Sequence, residues 1–142
     1  MIADPNTHIL KIQQRLRRRG SATLSDIRLV ESLLRSHPRH ARLWILRGAL
    51  ITLSRSDNRY SLLDALSSYK RAIQCQPDYA DGYAEAGYHH FYVRDDPYHA
   101  LPYFKKALKL KNTRSLARIC REAQQDLKLR RKHHGKGIRH KY

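Results

Sequence analysis

Cysteine, acid and long apolar runs are all scarce in this chain of 142 residues. Cys75 and Cys120 are the only cysteines. They are too few for a disulfide framework, so a reducing, cytoplasmic setting is expected, with both thiols acting as small buried hydrophobes. No apolar stretch approaches the roughly 18 residues a membrane span needs. Met1 to His8 shows no basic start followed by an apolar run. Neither a membrane contact nor a secretory signal is therefore expected. Only 12 Asp and Glu stand against 29 Lys and Arg, a net charge of +17. That balance argues against a cationic ligand and for an anionic one.

Catalytic signatures are also missing. There is no Gly-x-Ser-x-Gly, no Gly-x-x-x-x-Gly-Lys and no His-Glu-x-x-His. The carboxylates are scattered, and Asp95-Asp96-Pro97 reads as a helix cap with proline at the first helical position. Nine histidines do not make a metal site. His89 and His90 would point about 100° apart on a helix, and His133, His134 and His140 fall in a polar tail. A non-catalytic protein without metal or cofactor is expected.

What is present is a 41% hydrophobic, 29% charged chain with its charge at the two ends. Residues 1–40 carry 8 basic and 3 acidic side chains, residues 41–112 carry 11 and 7, and residues 113–142 carry 10 and 2. Residues 133–142 have one aliphatic side chain and two glycines. They cannot bury enough apolar surface to offset their ordering entropy, so a mobile basic tail is expected.

The middle of the chain repeats itself. Three residues after Pro38 and Pro77 comes Ala41 or Ala80, six after comes Trp44 or Tyr83, and ten after comes Gly48 or Gly87. Before Pro77 stand Ala65, Tyr69 and Ala72, and before Asn112, at the same offsets, Ala100, Phe104 and Ala107. Asp26, Val30 and Leu33 precede Pro38 as a weaker copy. Small residues at these spacings let two helices approach closely while the aromatics fill the gaps, and the prolines stop helices.

The run resembles the tetratricopeptide repeat, a helix–turn–helix unit of about 34 residues. The resemblance covers about residues 24–112. It implies an all-α, right-handed superhelical solenoid, and the pattern predicts helices over 7–18, 23–36, 40–54, 61–75, 79–93, 98–110 and 113–131. The divisions expected are an N-terminal helix and basic segment (1–22), a repeat domain (23–112), a capping helix (113–132) and the tail (133–142). Departures from the family pattern are Arg47 where Leu is usual, His90 where Tyr is frequent, about five extra residues around Ser54 to Arg59, and Asn112 for the closing proline. Pro102 lies inside a predicted helix, which it should kink or delay.

In the family, a concave groove holds an extended peptide or a partner helix. The positions matching it here are Arg42, Ile45, Ala49, Thr52 and Leu53, then Ala84, Tyr88, Phe91 and Tyr92, then Leu116, Ile119, Ala123 and Leu127. Tyr79, Tyr83, Ala86, Gly87 and His90 are expected on the packing face of the same helix. A groove with an aromatic floor and Arg42 at its rim suits a protein segment with an acidic end. The opposing reading is that a flanking helix covers this stripe as core. Six tyrosines and two phenylalanines between Tyr79 and Phe104 could also stack single-stranded RNA, although the repeat already uses several of them for packing. Arg15 to Arg19 read as a solvated helix end over buried Ile12 and Leu16. Lys128, Arg130, Arg131, Lys132, Lys136, Arg139 and Lys141, with no acid among them, read as a contact for an anionic partner.

The expected function is a non-catalytic adaptor or chaperone-like module that binds a peptide or helix. The alternative is a nucleic-acid or ribonucleoprotein-associated protein that contacts phosphates through its tail. End-to-end self-association of the short solenoid is a third possibility.

Overall fold

A computed structural model describes residues 4–54 and 59–139, with side chains described as far as residue 134. The described residues form seven α-helices and one π-helical turn. The helices are α1 (Pro5–Arg19), α2 (Leu24–Ser36), α3 (Ala41–Leu53), α4 (Leu62–Cys75), α5 (Ala80–Tyr88), α6 (Pro97–Leu110) and α7 (Arg114–Arg139). The π-helical turn, His89–Val93, continues α5. Five of the seven helices start and stop close to where the repeat pattern places them, and α5 and α7 end elsewhere. The chain divides into two compact units, Met1–Pro77 and Asp78–Tyr142.

In the first unit, α1 to α4 enclose one core. Ile9 and Ile12 of α1, Ile27, Val30 and Leu33 of α2, and Leu43, Leu46 and Leu50 of α3 are all buried there. Their spacing of three and four puts them on one face of each helix. Gly48 of α3 lies under the Tyr69 ring of α4: a Cβ there would sit 2.5 Å from Tyr69 Cε1. The repeated spacing of small residue and aromatic is thus a close approach of two helices that only a missing side chain permits. Helix starts are set by two capping boxes, Thr23 with Asp26 and Ser61 with Asp64. In each, the hydroxyl accepts from the backbone N–H three residues on, and the carboxylate accepts from the cap's own N–H.

The second unit repeats the device. Ala100, Phe104 and Ala107 of α6 pack with Leu116, Ile119, Cys120 and Ala123 of α7, and a Cβ on Gly87 of α5 would sit 2.6 Å from the Phe104 ring. Burying Phe104 completely contributes about 2–3 kcal/mol. Cys120 is buried as expected, whereas Cys75 is half-buried, its Sγ lying 3.9 Å from the Pro38 carbonyl.

Three details differ from the sequence pattern. The helix expected over 79–93 is α-helical only to Tyr88 and then takes the π-turn. A π-turn holds one residue more than an α-turn, so it can take up a residue within the helix without lengthening a loop. Pro102 does not delay α6, which begins at Pro97 with the Asp96 carboxylate accepting from the His99 N–H at 3.0 Å. Finally, α7 continues to Arg139, past the expected end at 131, so residues 133–139 of the expected tail have helical backbone while His133 and His134 stay exposed.

Candidate functional site

In the first unit the stripe on α3 is apolar in the middle with a cation at one end. Ile45 and Ala49 are half-buried, and Leu53 is exposed. Thr52, also half-buried, donates its hydroxyl to the Gly48 carbonyl at 2.9 Å. Arg42 is exposed, and its Nη1 donates to Asn6 Oδ1 of α1 at 3.2 Å, which holds the guanidinium beside the start of α1.

The stripe of the second unit is graded from core to solvent. Tyr88 and Phe91 each present a ring edge to Phe104, with centroids 5.3 and 6.1 Å away. Together with Ala84 they complete the packing around α6 and α7. Tyr92 is 65% exposed, stacked on Tyr88 at 6.1 Å and edge-on to Phe91 at 5.0 Å. The open and covered readings therefore divide along one stripe, with Tyr92 at its open end. Burial, with Glu85 nearby, pushes the Tyr88 hydroxyl up. Glu85 is itself raised above the ordinary carboxylate value by burial and by Asp81.

On α7 the outcome is different. Leu116, Ile119 and Ala123, matched by the resemblance to groove positions, face the core of their own unit, because they supply the apolar surface that α6 needs. Leu127 is half-buried.

The opposite face of α5 and its π-turn packs as expected, with Ala86, Gly87 and His90 buried and Tyr79 and Tyr83 half-buried. His90 stands where the family often has Tyr, and it stacks between Tyr103 (5.5 Å, 14°) and His99 (5.7 Å, 26°). Burial lowers the pKa of both His89 and His90, which favours their neutral form. Arg47, the other departure, is satisfied by donating to Ser68 Oγ at 2.6 Å, with its guanidinium 5.5 Å over the Tyr60 ring. Tyr60 in turn donates to Glu31. Sequence reasoning missed this chain, because its members lie 21 and 29 residues apart. The two capping boxes were also missed, although Thr-x-x-Asp and Ser-x-x-Asp announce them.

The basic residues separate into two groups. Lys128, Arg131 and Lys132 are exposed and share one face of α7. Arg130 instead binds within its own unit, its Nη2 reaching Asp95 Oδ1 and its Nε reaching Asp126 Oδ1, both at 2.6 Å. The carboxylate not used as the α6 cap thus takes up one of the cations expected to meet a partner. The side chains of Lys136 and Arg139, and all of Lys141, lie outside the described residues. At the other end of the chain, Arg15 pairs with buried Asp26 at 3.2 Å, and Arg17, Arg18 and Arg19 close α1 over buried Ile12 and half-buried Leu16. Among the described residues no helix is long and apolar enough to cross a membrane.

No protein-family model matches the sequence, and no curated protein is significantly similar to it. Solved structures are. The first tetratricopeptide domain of Spaghetti (RPAP3), bound to the HSP90 peptide SRMEEVD, superposes with a TM-score of 0.68 at 16% identity, over 88% of this chain and 98% of that one. The crystal structure of the MamA protein superposes with a TM-score of 0.62 at 17% identity, over 85% of this chain and 63% of that one. This chain thus spans less than two thirds of MamA's length but nearly all of the repeat domain. With the glycine–aromatic contacts and the paired helices, the likeness shows that the fold of this chain is of the tetratricopeptide-repeat type.

Proposed function

We propose that the chain is a non-catalytic protein-interaction module, adaptor or chaperone-like, that takes up a peptide or helix of a partner protein. The contact in the second unit is the stripe of Ala84, Tyr88, Phe91 and Tyr92, and the first unit carries its own stripe at the matching positions, Arg42, Ile45, Ala49 and Thr52. The observation that carries this reading is Tyr92, a large exposed ring held by stacking on Tyr88 at the open end of an otherwise packed aromatic row. Exposed aromatics ordered in this way mark contact surfaces. The repeat domain of similar fold carries a peptide rich in glutamate and ending in aspartate, and a chain of net charge +17 suits a segment of that chemistry. The free thiols Cys75 and Cys120 fit the expected cytoplasmic setting.

The test is a photo-crosslinking residue placed at position 92 of the full chain in native lysate, with and without nuclease. A discrete protein crosslink that survives nuclease supports the module, and one abolished by Arg42→Ala extends it to the first unit. Crosslinking to nucleic acid alone favours the alternative, in which Lys128, Arg131 and Lys132 on one exposed face of α7 meet phosphates. No crosslink at all overturns the reading for this stripe.

A further inference from the structure

A second surface in the Asp78–Tyr142 unit does not involve that stripe. Between α6 and α7 lies an open trough of about 550 Å³, within the size range of sites that hold peptide side chains or small ligands. Its walls include Tyr98, Leu101 and Pro102 from α6 and Leu127 from α7, and its two cations are Lys105 and Arg131. Tyr98 is 64% exposed. Pro102, which has no N–H for the Tyr98 carbonyl one turn back, puts a rigid apolar ring on this face.

The charge of the trough has no answer within the described part of the unit. The acids that adjoin its lining residues in sequence are committed elsewhere, Asp96 to His99 and Asp95 and Asp126 to Arg130. No carboxylate lines the trough, and Lys105 and Arg131 form no ion pair among the described residues. The remaining C-terminal stretch, residues 135–142, brings Lys136, Arg139 and Lys141 and no acid, so it repels these cations. A second copy of a chain with net charge +17 does the same. The apolar walls favour an aliphatic or aromatic side chain over a phosphodiester, and two flanking cations ask for carboxylates beside it.

We propose that the α6–α7 trough docks an acidic segment of another protein, with one apolar side chain seated against Leu101, Pro102 and Leu127 and flanking carboxylates on Lys105 and Arg131. This goes beyond the stripe on α5 and shares none of its residues.

The experiment is a selection of phage-displayed random peptides on the full chain. Binding is then measured by fluorescence anisotropy on wild type, on Lys105→Glu/Arg131→Glu and on Tyr92→Ser. All three substituted side chains are exposed, so the variants should melt like wild type. Enriched peptides should carry an aromatic or aliphatic residue between acids and lose about tenfold or more in affinity on the double charge variant. They should bind Tyr92→Ser as they bind wild type, and replacing their apolar residue by glycine should abolish binding. The proposal is overturned if no acidic–apolar motif is enriched, if the glycine peptides bind equally well, or if only Tyr92→Ser weakens binding. That last outcome would leave the stripe as the peptide site. Displacement of the peptides by oligouridylate, or concentration-dependent dimerisation that Leu127→Glu abolishes, would equally reject an acidic protein segment as occupant.

Discussion

Arg130 of α7 grips Asp95 twice, its Nη2 on the carboxylate at 2.6 Å and its Nη1 on the backbone carbonyl at 3.2 Å. Asp95 has φ +50°, the left-handed region that a non-glycine residue enters at a cost. The guanidinium therefore stabilises the strained turn between the π-turn and α6, while Asp126 holds it in place from one turn earlier on α7.

Arg130→Ala is expected to speed amide hydrogen exchange at Arg94 and Asp96 without changing exchange in the α1–α4 core. Arg130→Lys should recover only part of the protection, because an ammonium group cannot span the same three acceptors as a planar fork. Unchanged exchange at Asp96 in both variants would show that the turn holds itself.

Gly48→Ala and Gly87→Ala should each destabilise the protein by about 1–3 kcal/mol in urea melts, through overpacking against Tyr69 and Phe104. The sign is informative, since helix propensity alone would favour alanine by about 1 kcal/mol. Net stabilisation by either substitution would contradict the close approach.

Folding should weaken on acidification. Burial lowers the folded-state pKa of His89 and His90 below the ordinary 6.5, and the neighbouring Arg94 lowers both further while Asp96 pulls His90 the other way. The unfolded chain then binds protons that the folded one refuses, so stability is full above pH 6.5 and falls as pH drops through and below that value. His40, lowered by burial and by Arg42 and His37, adds to the same slope. His90→Phe should flatten the change in melting temperature between about pH 7.5 and about pH 5.5 relative to wild type. An equal slope in the two proteins would remove His90 from this account.

Arg47→Leu, which restores the residue usual in the family, should cost about 1 kcal/mol by removing the hydrogen bond to Ser68 and the contact with the Tyr60 ring. Adding Ser68→Ala should cost little further, because without Arg47 the buried hydroxyl keeps only its donation to the Asp64 carbonyl at 3.0 Å. A double-mutant cycle by chemical denaturation measures the coupling. Strict additivity would mean that the two side chains do not act on each other.

The architecture was legible because small residues and aromatics at fixed offsets from Pro38, Pro77 and Asn112 are local consequences of helices packing in pairs. The positions of Tyr88 and Tyr92 on one stripe were legible for the same reason. The burial that separates those two residues was not, because it depends on Phe104, twelve or more residues away. Nor did charge counting show that Arg130 is held by Asp95, since the π-turn and the turn after it bring that carboxylate to α7. Long-range polar partners leave no period in a sequence.

The π-turn at His89–Val93 changes what a spacing between repeats can be taken to mean. A residue gained there is hidden inside a helix, at the expense of one turn's hydrogen-bond register, and need not lengthen any connecting loop. Repeats of unequal length in the letters can thus present equal helix pairs in space. Aligning such chains by glycine and closing residue, with a single gap permitted mid-helix, will find kinship that a fixed 34-residue frame conceals.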